Sequence, residues 1–414
     1  MANTIKTLTA GDITRKALAI LHNNMVFCKN INRTYDDRFA RTGAKNGGYL
    51  EIRNPNEFTV RTGAIMDTQD VTETTTQLVC ATQLGIDINF SSAELTLSMD
   101  DFAERILTPA MTRLAAEVEK TVITACYKAV YNFENTTLGT APVLSDVLAA
   151  RAYLQRGLTP TGDRFLMVDA AAANSIITDS KSLYAPSDAI ARQYEQGLLG
   201  TVSGFKMLES ELTPRHTNGS RDDTTPIVAN LANCANADDH LDTTSFDGTL
   251  TVGDVFYVPA VFKVNQETKV AYPQQQQWAV TVAETTNGTD AVAVTPLLYK
   301  SGPRQNVYHA SWTGASGTII SVATGANANM PGGSGAASTT YVNNLAWHRD
   351  AFTMVTADLE LPNGVDFAAR KVIDGISMRI VRQYDVVNDK FPCRIDVLFG
   401  QKTIRPEWAV RVCG

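Results

Sequence analysis

An unbroken block of strand-forming sequence limits the folds that this chain can adopt. From about Leu250 to Lys300 apolar and polar residues alternate, turn-forming residues separate the runs, and no helical period is present. Mixed helix and strand sequence stands on both sides of the block. We therefore predict an α+β chain into which a small β-barrel or sandwich is inserted at residues 220–343.

The longest helical signal precedes this block, at residues 99–132. Apolar residues follow one another at spacings of three or four along one stripe: Leu107, Met111, Leu114, Val118, Val122, Ala125 and Ala129. Thr108 suits the N-cap and Pro109 the first helical position. The pattern predicts a helix of about 22 residues, roughly 33 Å long, with Leu114, Val118 and Val122 in the structural core.

Four other segments have simpler patterns. Residues 11–30 have helical spacing, and residues 143–215 alternate between helix and strand. Residues 49–92 are mostly strand, but few large apolar groups lie in their middle, so a two-stranded ribbon there needs a surface outside itself to lie on. Residues 313–343 are rich in Gly, Ala, Ser and Thr, which predicts a loop or linker.

The final segment, FPCRIDVLFGQKTIRPEWAVRVCG at residues 391–414, predicts a hairpin with one buried face. Gly400 and Gln401 suit the reversal of direction. The predicted core positions are Ile395, Val397, Trp408 and Val410. Four of its charged residues, Arg394, Arg405, Glu407 and Arg411, are set apart from these core positions. We expect the late strands and this hairpin to form one antiparallel sheet.

Charge is sparse and unevenly distributed. Charged residues make up 19% of the chain and hydrophobic residues 44%, so the surface is either small relative to one large core or covered by copies of the same chain. Residues 1–50 hold eight basic and three acidic residues, a net charge of +5, and the rest of the chain carries −12. Such an arm is either drawn to an acidic neighbour, which could be a subunit, another protein or nucleic acid, or simply solvated.

The apolar stretches and the cysteines of the sequence predict the compartment of the protein. Residues 1–20 include no continuous apolar stretch and no run of about 18 apolar residues is present, so we expect a soluble protein, made in a cytoplasm, with no membrane partner. The six cysteines include no CxxC pair, which favours reduced and mostly buried thiols.

No signature of catalysis is present. Neither GxxxxGK[ST] nor GxGxxG occurs, and GGSGAAS at residues 332–338 does not satisfy GxSxG. The stretch ADDHLD at residues 237–242 could bind a divalent cation, but its spacing matches no known site and a polar surface loop is favoured. Trp347 and His348 are interpreted as a packed aromatic beside a hydrogen-bonded histidine. We therefore predict no enzyme activity, no catalytic residue, no cofactor and no metal.

Nucleic-acid recognition is equally unsupported, because the aromatic residues are dispersed and the chain after residue 50 is acidic.

Four stretches carry a resemblance to a known family. In chain order they are FSSAELTLSMDDFAERILTPAMTRLAAEVE, GTVSGFKMLESELTPRHTNG, GDVFYVPAVFKVNQETK with WAVTVAE, and NLAWHRDAFTM with RIDVLFGQKTIRPEWAVRV. Together they span most of the chain. The sequence resembles the major capsid (coat) proteins of tailed double-stranded DNA bacteriophages, and among them the coat proteins of short-tailed phages with an inserted β-barrel domain.

The resemblance implies the tailed-phage major capsid fold. Its parts map to an N-terminal arm at 1–48, an extended β-loop at 49–90, a spine helix region at 91–142, a peripheral domain at 143–219, a β-barrel insertion domain at 220–343, and an axial domain with the C-terminal hairpin at 344–414.

The resemblance also implies a function and a set of partners. Copies of the chain would assemble as pentamers and hexamers into an icosahedral virion capsid around packaged double-stranded DNA, without sequence-specific binding. A scaffolded procapsid would form in the host bacterial cytoplasm and expand on maturation. The implied partners are the chain itself, a scaffolding protein, a portal protein and a decoration protein. The alternatives are a β-rich carbohydrate-binding or tail-associated virion module, and a hydrolase with a hidden triad.

Within this resemblance, charged residues of the arm, the loop and the C-terminal segment are candidates for subunit contacts: Arg15, Lys16, Arg33, Arg38, Arg41, Arg53, Arg61, Arg394, Arg405, Glu407 and Arg411. Some relatives join subunits by an isopeptide bond from a lysine of the extended loop to an asparagine. No lysine occurs between Asn46 and Glu119, so that form of the cross-link cannot be made.

Overall fold

A computed structural model describes most of the chain: residues 19, 25–35, 49–66, 68–70, 73–91, 108–134, 140–180, 200–219, 228–312, 316–318, 320–321, 340–373 and 376–414. The chain divides into two compact units. The first unit comprises Met1–Ile52, Thr75–Ile123 and Phe352–Lys402, and the second comprises Arg53–Thr74, Thr124–Ala351 and Thr403–Gly414.

Three helices longer than one turn lie within the described residues. They are α1 (Thr108–Lys128), α2 (Leu144–Arg156) and α3 (Ala170–Ser180). The strands up to the barrel are β1 (Tyr49–Arg53), β2 (Thr75–Val79), β3 (Thr82–Ser91), β4 (Phe133–Glu134), β5 (Arg164–Val168), β6 (Thr201–Val202), β7 (Phe205–Glu209) and β8 (Arg215–Thr217).

The remaining described strands come from the barrel and the C-terminal part of the chain. The barrel strands are β9 (Val228–Asn230), β10 (Asp238–Leu250), β11 (Val255–Val264), β12 (Ala271–Val280), β13 (Glu284–Leu298), β14 (Val307–Tyr308), β15 (Ser316–Thr318) and β16 (Ile320–Ser321). The last strands are β17 (Thr340–His348), β18 (Phe352–Ala357), β19 (Phe367–Ile373), β20 (Ile376–Arg382), β21 (Lys390–Thr403) and β22 (Ala409–Cys413).

Helix α1 matches the predicted strut closely. Pro109 is its second residue, where a missing N–H costs no intrahelical bond. The predicted core residues Leu114, Val118 and Val122 are buried. Ala125, in contrast, is exposed, because the buried stripe continues through Ile123, Cys126 and Tyr127 instead.

The N-terminal prediction is tested only in part. Ala19 is helical, whereas residues 25–30 are turn and bend, with the Asn30 N–H donated to the Phe27 carbonyl at 2.9 Å. The predicted helix at 11–30 therefore does not extend to its predicted end, and its other residues lie outside the described ranges. The predicted linker at 313–343 also lies mostly outside them, although β15, β16 and the start of β17 show that it contains strand.

The first unit contains a five-stranded sheet, as far as the described residues show, in the order β18, β21, β20, β19, with β3 paired to β21. Strand β3 pairs antiparallel with β21 from Thr82 opposite Phe399 to Ser91 opposite Lys390. Ile86 and Ile88 are half-buried and alternate with exposed neighbours, as their spacing predicts. Strands β1 and β2 form a separate two-stranded sheet.

In the second unit, β4, β22, β17, β5, β7 and β6 pair in that order, and β8 pairs with β17. Helices α2 and α3 come from the segment predicted to alternate between helix and strand, and Gly157 follows α2 as predicted. The core of this part comprises Val147, Ala150, Leu154, Leu166, Val168, Ala172, Ala173, Ile176, Phe205, Ala346, Val410 and Val412.

Within the described residues the predicted insertion has the strand pairing of a barrel. Its strands β11, β12, β13, β10 and β9 pair antiparallel in that order. Strand β15 pairs with β9, and β16, one residue further along the chain, pairs with β11. Among the described strands the pairing therefore returns to β11, as in a barrel. Its interior comprises Ala229, Leu231, Cys234, Leu241, Leu250, Phe256, Val258, Val261, Trp278, Val280, Val292, Val294, Leu298 and Val307.

The predicted C-terminal hairpin is wrong. Strand β21 runs straight through Gly400, and β22 pairs with β17 and β4 rather than with β21. A side chain at Gly400 would overlap the Val79 carbonyl, so this glycine permits a close approach of two backbones rather than a turn. A 3₁₀ turn at Pro406–Trp408 precedes β22. The late strands consequently belong to two sheets, not one.

Candidate functional site: an extended loop and the root of the barrel

The loop between β1 and β2, residues 54–74, is held narrow by side chains. At its base the Asn54 N–H is donated to the Thr74 carbonyl at 2.9 Å. Farther out, the Gln69 amide accepts the Thr59 N–H at 2.8 Å and donates to the Thr59 carbonyl at 2.6 Å. Because the Gln69 amide takes the place of a paired strand, the two arms of the loop stay together beyond the end of the sheet.

At and beyond this clamp the loop leaves large apolar side chains in water. Phe58 is 61% exposed, Val60 96%, Ile65 88% and Met66 77%. Single exposed apolar residues are ordinary, but a group of four within one short loop is typical of a surface that another molecule covers. We call residues 58–66 the loop tip.

Of the predicted contact residues, Arg53 ends the strand β1 before this loop and Arg61 lies on the loop. The guanidinium of Arg53 is 3.6 Å from the Glu73 carboxylate, and both side chains are exposed. Arg61 is exposed and donates to the Gly63 carbonyl. Arg33 is half-buried. The four remaining candidates of the arm lie outside the described residues: Arg15, Lys16, Arg38 and Arg41.

Arg394 takes part in an ion cluster of the first unit. The buried Asp396 carboxylate accepts from the Arg394 Nε and the Arg379 Nη2, each at 2.8 Å. Burial raises the pKa of Asp396, but these two hydrogen bonds, the charge of Arg394 and a hydrogen bond from Gln83 together outweigh it, and the pKa is lowered. A side chain at Gly85 would overlap the Asp396 carboxylate, so the glycine leaves room for the cluster.

Three predicted residues lie together at the 3₁₀ turn before β22. The Arg405 guanidinium stacks 4.1 Å from the centre of the Trp408 ring, and Trp408 Nε1 donates to the Gly157 carbonyl at 3.0 Å. Trp408 is half-buried on a turn, not buried on a strand face as predicted. Burial raises the pKa of Glu407.

Arg411 is not a surface residue. It is 0% exposed, and all of β22 is buried because both faces of the strand are covered. Its Nη1 donates to the Gly253 carbonyl at 2.6 Å and its Nη2 to the Lys128 carbonyl at 3.2 Å. The guanidinium also lies 5.2 Å from the centre of the Tyr127 ring. The prediction of a subunit contact at Arg411 is therefore corrected to a contact within the chain.

Arg411 belongs to a polar network at the root of the barrel, where the chain enters and leaves it. His216 Nε2 is 2.8 Å from Asp254 Oδ1, and His216 Nδ1 is 3.2 Å from the Tyr127 hydroxyl. Asp254 Oδ2 also accepts the Gly219 and Thr251 N–H groups at 3.2 and 3.0 Å. Sequence reasoning missed this network, because its residues are far apart in the chain and form no motif.

A second contact fixes the barrel to β4. The Gln277 amide accepts the Phe133 N–H at 2.8 Å and donates to the Phe133 carbonyl at 3.0 Å, as a paired strand would. Nearby, Lys263 Nζ lies 5.9 Å from the centre of the Tyr131 ring. Burial lowers the pKa of Lys263 to about 8, and the Glu407 charge partly opposes this.

Glu119 was also missed. It is 0% exposed, and its carboxylate accepts the Val26 and Phe27 N–H groups at 2.8 and 2.6 Å. Burial raises the pKa of Glu119, while those two hydrogen bonds lower it. A signal was present, because Glu119 lies four residues after Ala115 on the buried stripe of α1. A charge on an apolar stripe indicates a specific partner.

The acidic stretch beside His240 does not change the prediction of no metal site. The ligand atoms of Asp238, Asp239 and His240 lie within 4.8 Å of one another. Their hydrogen bonds are local, since Asp238 accepts the Ala235 and His240 N–H groups and Asp239 contacts His240 Nδ1 at 2.6 Å.

No helix in the described ranges is long and apolar enough to cross a bilayer.

Comparison with known proteins identifies the class. The sequence profile of the family described as "P22 coat protein - gene protein 5" matches residues 13–414. No curated protein sequence matches the chain. Solved structures with a similar arrangement include one from Mycobacterium phage Che8 (12% identity, TM-score 0.48, 94% of this chain and 90% of that chain) and the capsid of Ralstonia phage GP4 (7% identity, TM-score 0.45, 92% and 86%).

The chain is a structural protein of a phage shell and not an enzyme. It belongs to the P22 coat protein family. It is therefore a major capsid protein that self-assembles into the shell. The carbohydrate-binding, tail-associated and hydrolase alternatives lose their support, because the family match covers nearly the whole chain.

Proposed function

We propose that copies of this chain assemble as pentamers and hexamers into an icosahedral shell that encloses double-stranded DNA. The observation that supports this most directly is the loop tip, where Val60 is 96% exposed on a loop clamped in an extended form. Covering apolar surface yields about 25 cal/mol for each Å² removed from water. A neighbouring copy of the chain is the partner that a shell supplies at every such position.

The stages of assembly are proposed on the family resemblance. A scaffolding protein directs a procapsid in the bacterial cytoplasm, a portal protein occupies one vertex, and the shell expands as DNA is packaged. A decoration protein is a further partner. The six parts predicted from the sequence, from the arm at 1–48 to the axial domain at 344–414, stay a proposal. The predicted contact residues other than Arg411 also stay a proposal: Arg15, Lys16, Arg33, Arg38, Arg41, Arg53, Arg61, Arg394, Arg405 and Glu407.

The basic arm supports an electrostatic step in assembly. Residues 1–50 carry a net charge of +5 and the rest of the chain −12, so the arm is attracted to acidic surfaces of neighbouring subunits or of the scaffolding protein. Exposed charges are screened over about 10 Å at 0.1 M salt. Assembly yield should therefore fall as salt rises from 0.05 to about 0.5 M, and a yield independent of salt contradicts this step.

The shell should be held by noncovalent contacts. The extended loop contains no lysine for the isopeptide bond that some relatives make. Mature particles dissolved in SDS should therefore release monomers of 44.9 kDa. A covalent ladder of multiples of that mass would contradict the expectation.

The central experiment disables the loop tip. Val60→Asp places a charge where we propose that a neighbour covers an apolar surface. Val282→Asp is the matched control, since Val282 is also an exposed valine but lies in the turn between β12 and β13 of the barrel. Each variant is co-expressed with scaffolding protein and viewed by negative-stain microscopy. We expect shells from Val282→Asp and unassembled subunits from Val60→Asp, and equal shell yields would sink the proposal.

A further inference from the structure

The barrel is connected to the rest of the second unit by two strands that pair with each other. The chain enters the barrel after β8 and leaves it before β17. These strands pair antiparallel, with His216 opposite Tyr341 and Thr217 opposite Thr340. We call this pair the stalk. The stalk extends over only three residue pairs at the start of β17, and so short a pairing adds little stability by itself, so other contacts help to hold the barrel in place.

One barrel carboxylate provides several of those contacts. Asp254 lies in the turn between β10 and β11 and is 0% exposed. It accepts hydrogen bonds from the barrel residue Thr251, and it also binds His216 of the stalk and the Gly219 N–H just beyond it. Because a buried carboxylate left without these donors would be costly, Asp254 ties the barrel to the stalk.

The geometry defines the proton positions on His216. A carboxylate can only accept, so His216 Nε2 carries the proton shared with Asp254 at 2.8 Å. In the neutral imidazole His216 Nδ1 is then unprotonated and can accept from the Tyr127 hydroxyl, which lies 3.2 Å away. A second proton would enter at Nδ1, and the Tyr127 hydroxyl would have to turn its own proton elsewhere. The arrangement therefore suits the neutral imidazole.

The surrounding charges act in both directions. Burial is the main cause that lowers the pKa of His216, and the charges of Arg411 and Lys128 lower it further, while Asp254 raises it. The other titratable groups of the network are those of Tyr127 on α1, Tyr341 on β17, and Cys413 on β22. The net effect is a lowered pKa. At a pH just below 6.5, the ordinary pKa of histidine, the imidazole of His216 is therefore still mostly neutral.

We propose that Asp254, His216 and Tyr127, packed beside Arg411, form an acid-sensitive latch that holds the barrel on its stalk. With neutral His216 the latch is closed, and protonation at Nδ1 opens it. When the latch is open, His216 is exposed to water and binds a proton more readily than when it is closed. Closure is therefore fully favoured above pH 6.5 and weakens as the pH falls through the lowered pKa of His216.

Amide hydrogen exchange of the intact chain tests the latch. The reporters are the Gly219 and Thr251 N–H groups, which both bind Asp254. The control is the Val264 N–H, which is donated to the Asn306 carbonyl elsewhere in the barrel. Between pH 6.5 and the lowered pKa of His216 we expect protection factors at the two reporters to fall by at most about tenfold for each pH unit, with little change at Val264. We call the pH at half of this fall the midpoint. Unchanged protection at the reporters overturns the proposal.

Two variants assign the effect to the proposed groups. His216→Gln keeps an amide donor for Asp254 but does not titrate, so the pH dependence should disappear, and an unchanged midpoint overturns the assignment. Tyr127→Phe removes the donor that favours neutral His216, so the midpoint should move to higher pH. Should His216→Gln fail to fold, the Tyr127→Phe midpoint decides alone, because a merely structural role for this hydroxyl would lower protection without moving the midpoint.

Discussion

The root of the barrel buries polar and charged side chains, whereas the loop tip exposes apolar ones. At the root, charged and polar groups such as Arg411 and Asp254 are buried, and their hydrogen bonds end on atoms of the same chain. At the loop tip, Val60 and Ile65 lie in water on a loop that polar side chains hold extended. The side chains at the root have their partners within the chain, whereas the apolar side chains of the loop tip lack a surface that covers them.

This difference separates folding from assembly. A buried charge is costly unless its partners are in place, so the contacts at the root must form as the single chain folds. An exposed apolar group gains its free energy only when a second surface covers it. Substitutions at the root should therefore appear in the free energy of unfolding, and substitutions at the loop tip in shell yield.

The largest effect should come from Arg411→Ala. The variant leaves the Gly253 and Lys128 carbonyls without their donor and opens a cavity in β22. We expect a loss of about 3 to 5 kcal/mol in the free energy of unfolding, since each buried acceptor left without a donor costs about 1 to 3 kcal/mol and the cavity adds to this. Urea unfolding of the monomer measures it.

Arg405→Ala is the matched control for Arg411→Ala. Arg405 is six residues away, half-buried, and stacks on Trp408. Its loss should cost about 0.5 to 1 kcal/mol and should impair assembly more than folding, since Arg405 remains a proposed contact. Equal destabilisation by the two variants would break the distinction between a buried joint and a surface contact.

A smaller effect is expected from Trp408→Ala. The ring packs between Arg405 and His348, whose ring centre is 5.2 Å away, and Nε1 anchors the Gly157 carbonyl. Because Trp408 is only half-buried, we expect a loss of about 2 to 3 kcal/mol, below the 3 to 5 of fully buried aromatic residues. Thermal unfolding followed by circular dichroism measures it, and a loss above that of Arg411→Ala would reverse the ranking.

Gly219→Ala tests how tightly the root is packed. A side chain at Gly219 would overlap the Thr249 carbonyl, and the backbone would have to shift by enough to strain the contact with Asp254. We expect a loss of about 1 to 3 kcal/mol, as for other overpacked sites. At Gly162, where an added side chain meets nothing within 4 Å, alanine should change stability by less than about 0.5 kcal/mol. Similar costs at the two glycines would argue against close packing at the root.

Local periodicity was sufficient wherever the chain folds against its own near neighbours. The stripe through Leu114, Val118 and Val122 predicted α1, and alternation predicted the strands of the barrel. These signals work because one face of a helix or strand repeats at a fixed spacing whatever it packs against. The family resemblance then supplied the order of the parts, which periodicity alone does not contain.

The failures share one physical cause, contacts between residues distant in the chain. Gly400 was interpreted as a turn residue. Glycine is needed there because the Val79 carbonyl, more than 300 residues earlier in the chain, lies too close to leave room for a side chain. Arg411 was placed on a solvent face because alternation reveals two faces of a strand without showing that both are covered. The root of the barrel could not be predicted for the same reason, since His216, Asp254 and Arg411 meet only in the folded chain.

The smallest effect on stability should come from Val60→Asp, and it sharpens the comparison most. Val60 is 96% exposed, so the free chain loses no packing when it is replaced, and the free energy of unfolding should change by less than about 0.5 kcal/mol. Urea unfolding beside the wild type measures this. A variant that is as stable as the wild type but forms no shells shows that the loop tip acts only between copies. Destabilisation by 2 kcal/mol or more would mean that the loop tip is part of the folded core, and the contrast with the root would then collapse.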